Sequence, residues 1–421
     1  MITLAFSRGV LARSRTMPTI ALLTAEGSGG PPGAHCDCAA DATPNVSPSK
    51  AADLYNGRES RTLDTANDSP RTLPCFFMMA TQVQVPAFAR GDRPAGFRAA
   101  QRRVADALAD AHLAESSDDF SLESARMAAV ESPRLASAEL LEDGSMRARD
   151  VGGEPAIGFS AFLDGIQVSR IVAHDDGLPI VHGVVGAVVR QRIDRRLGTW
   201  RNEFEERLYA PRGFLPASSA DALTTTGLIV ADTTPRKDGS PDETGRHPLS
   251  LAESAVSAVQ AHRESLELSL AESWLMERDE PLYLDGRISG SGRVAGSPNA
   301  VGVVRTHRTL YGDSNAMRLV LALKAGERSS VFAVASANGW RATVASWYLR
   351  LRESGDPLWG LVRVEVAMPS DSEAQALGAR ADQISRWILA EASPLALPDS
   401  RWDTTAYGIR DCTQYLKAHL R

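Results

Sequence analysis

Cysteine is scarce in this chain, and its distribution argues against two classes of protein. The 421 residues include only four cysteines, which are Cys36, Cys38, Cys75 and Cys412. With a single cysteine after Cys75, a secreted fold held together by disulfides is not expected. The Cys36–Cys38 pair would supply half of a zinc site, but no second pair with metal-ligand spacing follows it. We therefore interpret the thiols as incidental and expect a cytoplasmic protein.

Long apolar runs and an excess of positive charge are also missing, and aromatic residues are few. No stretch approaches the roughly 18 consecutive apolar residues of a membrane-spanning helix, so no membrane association is expected. Only 6% of the residues are aromatic, which disfavours the sugar-binding platforms of a glycosidase with paired carboxylates. The formal net charge of −6 gives no overall signal for nucleic-acid binding, which would require a local basic patch.

The composition divides the chain into three segments. Residues 1–79 are rich in Gly, Pro, Ser, Thr, Asn and Asp without sustained periodicity, which predicts a disordered leader. A misassigned start site is the alternative, because the sequence from Met78 is typical of a protein start. Residues 80–150 are predicted to form an N-terminal helical segment and linker, with an amphipathic helix over Ala95–Glu115 and a polar, helix-prone stretch after it. Residues 151–421 form the predicted main domain.

The main domain combines β-rich and helical segments. From Ala156 the sequence is apolar and β-branched, and a long helix is predicted from about Ser250 to Arg278. Further strands are predicted in PLYLDGRI, NAVGVVRTH, MRLVLALKAGERSSVFAVAS, TVASWYLRLRES and LWGLVRVEVAM, and further helices over Ser372–Ala392 and Tyr407–Leu420. These elements predict an α/β fold in which helices flank a mixed β-sheet.

The tripeptide LDG occurs twice, each time after an apolar run. Asp164 follows a run that begins at Ile157, and Asp285 follows Leu282–Leu284, so each acid is predicted where a strand leaves the sheet. Strand ends are where open α/β sheets bind ligands, and a glycine after each acid would clear space for a phosphate. Because Asp-Gly is also a common turn dipeptide, either aspartate taken singly is better explained as a turn residue.

The helix between the two copies of LDG adds a third carboxylate. Helical periodicity places Glu267 on the same face as Arg263 and Trp274, beside a leucine stripe, so its side chain is predicted to be partly buried. A buried glutamate needs a partner, and a divalent cation is one such partner. Asp164, Glu267 and Asp285 would then form an all-oxygen site for Mn²⁺ or Mg²⁺, holding two ions for phosphodiester hydrolysis.

The densest basic cluster precedes and overlaps the segment DRRLGTWRNEFEERLYAP. Its members are Arg190, Arg192, Arg195, Arg196, Arg201 and Arg207. Acidic residues are interspersed among them, so a solvated charged face is the simpler interpretation. An arm that contacts phosphate is the alternative.

From about Ala156 to the C-terminus, the order of these motifs resembles the NurA nuclease family. The motifs are AFLDG, RESLE (Arg263–Glu267), LYLDGRI followed by VGVVRT (Val301–Thr306), VRVEV (Val362–Val366) and a C-terminal helix that contains a tyrosine. The resemblance implies an RNase H-like fold and a manganese-dependent DNA nuclease. It also implies a homodimer that works with a HerA-type hexameric ATPase in DNA-end processing, in repair or in defence.

The resemblance further implies roles for single residues. As metal ligands it implies Asp164, Glu267 and Asp285. Arg305 stands where the family often has a lysine, and its forked guanidinium would contact phosphate. Tyr407 and Asp411 correspond to the family's C-terminal tyrosine and downstream acid, but Gly408 replaces the usual proline after the tyrosine.

Two questions stay open at this stage. The departures around Tyr407 allow a catalytically degenerate subunit that guides DNA for a translocase, in place of an active nuclease. Arg363 and Glu365 are either a structural ion pair or part of the site. The histidines in or beside apolar strands, His182 and His307, are interpreted as core or rim residues and not as ligands.

Overall fold

The structure, a computed structural model, describes residues 94–114, 122, 133–194, 196–335, 341–353, 355–392 and 407–420. All of these residues belong to one compact unit, Val83–Arg421. The predicted leader over residues 1–79 lies outside the described residues, as does Arg195. Within the described part, no helix has the length and apolar character needed to cross a membrane.

The described residues form seven α-helices and seventeen strands. The helices are α1 (Phe97–Ala107), α2 (Ala217–Thr224), α3 (Pro248–Glu277), α4 (Gly292–Ala295), α5 (Ser314–Leu321), α6 (Leu377–Ala392) and α7 (Tyr407–His419). The strands are β1 (His112–Leu113), β2 (Arg134–Ala136), β3 (Glu139–Leu140), β4 (Ala148–Asp150), β5 (Ala161–Asp175), β6 (Leu178–Ile193), β7 (Arg196–Ala210), β8 (Ile229–Asp232), β9 (Arg236–Lys237), β10 (Ser240–Pro241), β11 (Leu282–Leu284), β12 (Ala300–Val304), β13 (Thr309–Tyr311), β14 (Glu327–Ser329), β15 (Phe332–Val334), β16 (Val344–Arg350) and β17 (Leu361–Ala367).

One mixed sheet of thirteen strands organises the described part of the chain. Its main path runs β3-β15-β16-β17-β12-β11-β5-β6-β7-β8. The strands β5, β6 and β7 form an antiparallel meander, whereas β11 is parallel to both β5 and β12. The strand β17 then returns antiparallel to β12. A mixed sheet flanked by helices is therefore present, as predicted.

The meander is long because its sequence favours extended chain throughout and supplies a suitable turn. The strand β6 is rich in valine, and most of its residues are buried. Between β5 and β6 the chain reverses at Asp176 and Gly177, whose φ angles are 49° and 74°. A type I′ turn requires positive φ at both central residues, and Asp-Gly is a preferred pair for it.

Helices cover both faces of the sheet. On one face, α3 buries Leu270 and Trp274 in a cluster with the inward side chains of β5, β6 and β11. On the other face, α6 and α7 bury Ile388 and Ile409 against the opposite side chains of β5, β11, β12, β16 and β17. Each such fully buried side chain stabilises the fold by about 1.5–3 kcal/mol. The central strands are thus buried on both faces.

Several boundaries and one segment differ from the sequence-based expectations. The first helix is shorter than Ala95–Glu115, because it ends at Ala107. The helix-prone prediction for the stretch before residue 150 is wrong where that stretch is described: residues 133–150 contain β2, β3 and β4, which pair with β13, β15 and β14. Residues 314–321 are a helix and not the predicted strand, because the Asp313 side chain caps them by accepting a hydrogen bond from the Ala316 N–H at 2.8 Å.

The C-terminal helix α7 packs directly on β5. A β-carbon at Gly408 would lie 2.1 Å from the ring of Phe162, so only glycine allows the observed approach. One turn later, the Cys412 thiol lies 3.4 Å from the Phe162 carbonyl oxygen. The close packing of α7 on β5 therefore requires glycine at position 408.

The Gly408→Ala variant is expected to destabilise the protein by about 1–3 kcal/mol, because an added methyl group must displace a buried aromatic ring. Helix propensity alone would favour alanine by about 1 kcal/mol, so destabilisation would isolate the packing effect. The midpoint of urea unfolding measures the change. Gly292→Ala in α4 is the matched control, since a β-carbon there meets no atom within 4 Å. Equal midpoints for the two variants would contradict the packing role.

Candidate functional site

A cavity of about 1460 Å³ opens where β11 ends beside β5. The carboxylates that line it are Asp164, Glu253, Glu264, Glu267 and Asp285. The cationic side chains that line it are Arg263, Arg287, Arg305, Arg308, Arg341 and Lys417. All three predicted metal ligands and Arg305 therefore reach the same cavity.

Asp164 lies within β5 and not at its end, which corrects the expectation for the first LDG. The strand continues to Asp175 because it stays paired with β6 over its whole length. The parallel neighbour β11, in contrast, ends at Leu284, which is opposite Leu163. The Asp285 N–H donates to the Leu163 carbonyl oxygen at 3.0 Å. The two aspartates are thus held at the same height on adjacent parallel strands, beside an edge of β5 that β11 has left open.

Gly165 makes room for Glu267 and not for a phosphate. A β-carbon at Gly165 would lie 2.3 Å from Glu267 Oε1, so the carboxylate rests directly on the strand backbone. Glu267 is 4% exposed, as its helical position predicted. The Arg263 guanidinium donates to Glu267 Oε1 at 2.5 Å and to Gln167 Oε1 at 3.1 Å. Arg263 therefore connects the carboxylate on α3 to β5.

Asp164 and Glu267 approach β5 from opposite faces. Side chains alternate along a strand, so Asp164 shares the face of Phe162, towards α7, while Gly165 shares the face of Leu163, towards α3. The Asp164 carboxylate is 6% exposed. Its Oδ2 accepts a hydrogen bond from the Thr413 hydroxyl at 2.6 Å, and its Oδ1 accepts one from the Gly165 N–H at 2.9 Å.

Asp285 is held by Arg305, which follows β12. The guanidinium donates to both carboxylate oxygens, with 2.8 Å between Arg305 Nε and Asp285 Oδ1. Two contacts hold the turn after Asp285. Gly302 has no side chain and so leaves space for the Gly286 carbonyl oxygen, and Glu365 Oε2 accepts a hydrogen bond from the Ile288 N–H at 3.0 Å. Arg305 thus binds a carboxylate in this structure, and the predicted contact with phosphate stays a prediction.

Burial and mutual repulsion make two of the three acids hard to ionise. Burial, together with the charge of Asp285, raises the pKa of Asp164 to about 7, although the Thr413 hydrogen bond and the nearby arginines oppose this. Burial raises the pKa of Glu267 to about 8, against the opposing charge of Arg263 and with the help of the charges of Asp164 and Asp285. The folded protein therefore confines negative charge here at an energetic cost.

The three acids have the right chemistry to bind a hard divalent cation, but their side chains are not arranged around one point. Carboxylate oxygens are the ligands that Mg²⁺ and Mn²⁺ prefer, and a cation would offset the burial and the mutual repulsion that raise these pKa values. Among the described residues, however, no three His, Cys, Asp or Glu side chains are grouped closely enough to hold a metal ion. The opposite approach of Asp164 and Glu267, and the ion pairs of Glu267 and Asp285, account for this separation. Ligation would require Glu267 and Asp285 to leave their arginines and approach Asp164.

Tyr407 and Asp411 are not among the residues that line the cavity. Tyr407 is 53% exposed at the start of α7. Asp411 forms an ion pair with Arg190 at 2.5 Å, and Arg190 also donates to the Leu197 carbonyl oxygen at 3.0 Å. Asp411 therefore helps to attach α7 to the meander. The resemblance implied that Tyr407 and Asp411 belong to the site, but the fold places both residues away from the cavity.

Four of the five described arginines of the basic cluster form ion pairs with acidic side chains. The pairs are Arg190–Asp411, Arg192–Glu391, Arg201–Glu277 and Arg207–Glu205. Arg363 and Glu365 form a buried pair at 2.8 Å behind the site. The histidines behave as interpreted, because His182 contacts Glu206 in the core and His307 contacts the Leu361 carbonyl oxygen.

Sequence reasoning missed the contribution of α7 and of the cavity's cationic lining. Thr413 contacts Asp164, and Lys417, one turn later, lines the cavity. A partial signal existed, since Thr413 follows the buried Ile409 by four residues and therefore shares its side of the helix. Arg287, Arg308 and Arg341 lie in loops that are far apart in sequence, so only the fold brings them to one cavity.

Comparison with known proteins leaves the family of this chain open. No protein-family model matches the sequence, and no curated protein sequence matches it. The crystal structure of the NurA nuclease from Sulfolobus solfataricus is similar over 62% of this chain and 83% of that chain, with 13% sequence identity and a TM-score of 0.32. That TM-score is too low for the similarity to carry an argument about fold or activity.

The Glu267→Gln variant is expected to be stabilised relative to the parent at pH 8 more than at pH 5. The pKa of Glu267 is raised in the folded protein, so the folded state holds the proton more tightly than the unfolded chain does. Its contribution to stability is therefore greatest below the unfolded pKa and is lost as the pH rises through about 8. We expect the difference in unfolding free energy between Glu267→Gln and the parent to be larger at pH 8 than at pH 5, by an amount on the order of 3 kcal/mol.

Urea unfolding at the two pH values in EDTA measures this effect. Glu253→Gln, an exposed glutamate on the same helix, is the matched control and should change little. A pH-independent difference between Glu267→Gln and the parent would contradict the raised pKa.

Proposed function

We propose that this protein is a divalent-metal-dependent DNA nuclease and that its active site is the cavity between β5, α3 and β11. The observation that carries the proposal is the charge pattern of this cavity. Three carboxylates from separate elements, Asp164, Glu267 and Asp285, converge on it, and six cationic side chains share its lining. An acidic centre with a cationic surround suits a polyanion that is cleaved with the help of a metal ion.

The cationic lining would position the phosphate backbone. Arg287, Arg341 and Lys417 are exposed at the cavity, and Arg308 lines it as well. Arginine and lysine contacts of this kind bind phosphates without reading sequence, and their strength falls with salt. The chain therefore needs no overall positive charge to bind DNA.

Arg305 is suited to pass from a carboxylate to a phosphate. Its guanidinium holds Asp285 through two parallel hydrogen bonds, and a phosphate offers the same pair of oxygen acceptors. Transfer of Arg305 to the substrate would free Asp285 to join Asp164 and Glu267 as ligands. When bound there, Mn²⁺ or Mg²⁺ would activate water and stabilise the leaving oxygen of the phosphodiester.

The finer parts of the proposal rest on topology and on motif order. We propose an RNase H-like sheet because β5–β7 form an antiparallel meander and because β11 and β12, which come after α3, run parallel to β5. The motif order supports a homodimer that works with a HerA-like ATPase on DNA ends. Size-exclusion chromatography with light scattering would measure the first of these properties.

A catalytically degenerate subunit that guides DNA is the second candidate. The observation that favours it is the neutralisation of Glu267 and Asp285 by Arg263 and Arg305. In addition, no three acidic, histidine or cysteine side chains among the described residues are close enough together to hold a metal ion. In such a subunit the ion pairs would be structural, and the cationic lining would serve binding alone.

Purified protein is expected to degrade linear DNA when Mn²⁺ is present, and Asp164→Asn is expected to lower the rate by roughly 100-fold or more. The reason is that loss of a metal ligand removes several kcal/mol of transition-state stabilisation. Gel assays of radiolabelled DNA measure the rate. Asp371→Asn, at an exposed position that does not line the cavity, is the control. Full activity in Asp164→Asn would refute the assignment.

Calorimetric titration with Mn²⁺ separates the two candidates. For the nuclease we expect saturable binding by the parent protein and loss of that binding in Asp285→Ala, because the variant lacks a ligand. For the guiding subunit we expect no binding heat in either protein, with DNA binding retained. Binding that is equal in the parent and in Asp285→Ala would place the cation elsewhere.

A further inference from the structure

Thr413 on α7 forms a hydrogen bond with Asp164. Among the described residues, this is the one contact between a side chain of α7 and an acid of the cavity. The Thr413 hydroxyl oxygen lies 2.6 Å from Asp164 Oδ2 and 3.0 Å from the Ile409 carbonyl oxygen. A hydroxyl has one proton to donate, and a carboxylate is the stronger acceptor. The distances agree with this, because the contact with Asp164 is the shorter one.

The backbone of α7 is held where this contact can form. Gly408 lets the helix lie on Phe162, and the Cys412 thiol contacts the carbonyl oxygen of the same residue. Phe162 and Asp164 lie on the same face of β5, two residues apart. The docking that buries Ile409 therefore also brings Thr413 over Asp164. Lys417 follows one turn later on the same side and lines the cavity.

Asp164 is fixed at both of its oxygens. The Gly165 N–H bonds Oδ1, and the Thr413 hydroxyl bonds Oδ2. The first bond comes from the neighbouring residue of the strand, so it holds the carboxylate against its own backbone. The second bond comes from a different layer of the fold, so it defines the orientation of the carboxylate relative to Asp285 and the cavity.

We infer that Thr413 is a positioning residue that orients the Asp164 carboxylate for divalent-cation binding. The inference rests on the proposed function, since it assumes that Asp164 is a ligand. A hydrogen-bond partner behind a metal-binding carboxylate fixes its direction and keeps it available as an anion, and loss of such a partner typically weakens metal affinity 10–100-fold. Thr413 would act through Asp164 and would not touch the cation or the DNA.

The test compares Mn²⁺ binding to the full-length chain in Thr413→Val and Thr413→Ser by isothermal titration calorimetry. Valine keeps the shape of threonine and removes the hydroxyl, whereas serine keeps the hydroxyl. We expect Thr413→Val to raise the Kd for Mn²⁺ about tenfold or more, and Thr413→Ser to stay within about twofold of the parent. Thr224→Val is the control for the same substitution elsewhere, because the Thr224 hydroxyl donates to a carbonyl of its own helix, α2, and Thr224 does not line the cavity.

Each outcome decides between named alternatives. Unchanged Mn²⁺ affinity in Thr413→Val, with binding by the parent intact, overturns the positioning role and leaves the proposed nuclease standing. Equal weakening in the serine and valine variants also overturns it, because a packing defect and not the hydroxyl would then be responsible. No Mn²⁺ binding by the parent overturns this inference and the metal-dependent function together. Unfolding midpoints in EDTA identify a valine variant that has lost its fold, in which case Thr413→Ala replaces it in the same comparison.

Discussion

The parallel pairing of β5 with β11 is the constraint on which the rest of the site depends. Main-chain hydrogen bonds fix Leu284 opposite Leu163, so the next residue of each strand is an aspartate at the same level. After that point β11 ends, and in the described residues β5 has no partner strand on that side until β1 pairs with it at Ala173 and His174. The interruption opens the cavity, and the pairing leaves two carboxylates at its edge. A shift of one residue in this register would move one acid to the opposite face of the sheet.

Placing these charges together requires compensation, and the structure supplies it unequally. Asp285 is bound by a bidentate arginine, and Glu267 by a single arginine that also holds β5. Asp164 receives only neutral donors, a hydroxyl and a backbone N–H. Burial and the neighbouring Asp285 carboxylate raise the pKa of Asp164, and burial raises that of Glu267 as well, although Glu267 has an ion pair. Among the described contacts, Asp164 is the one acid of the three that has no cationic hydrogen-bond partner. A cation bound there would supply a positive charge next to its carboxylate.

The sequence was sufficient for the parts of the fold that follow from periodicity. The long helix α3, the burial of Glu267 and the helix from Tyr407 could be predicted because helical spacing of apolar residues determines them. The strands around residues 133–150 could not, because short edge strands with polar residues lack a clear alternation. The convergence of Asp164, Glu267 and Asp285 was predicted from the order of motifs. Their separation into two faces, and the arginines that hold them, depend on side-chain contacts between distant segments, which no local pattern encodes.

The two copies of LDG show why a motif can be informative while its local interpretation is wrong. At Asp285 the glycine follows a strand end and adopts a φ of 150°, as a turn would require. At Asp164 there is no turn, and the glycine is needed because Glu267 lies against it from α3. The glycine of the Asp-Gly dipeptide is therefore needed for backbone conformation at one position and for side-chain packing at the other. Only the second requirement comes from the third carboxylate, whereas α7 contacts Asp164 itself through Thr413, across 249 residues of sequence. The strands therefore place Asp164 and Asp285 side by side, and the C-terminal helix adds a hydrogen bond that holds one of these two carboxylates.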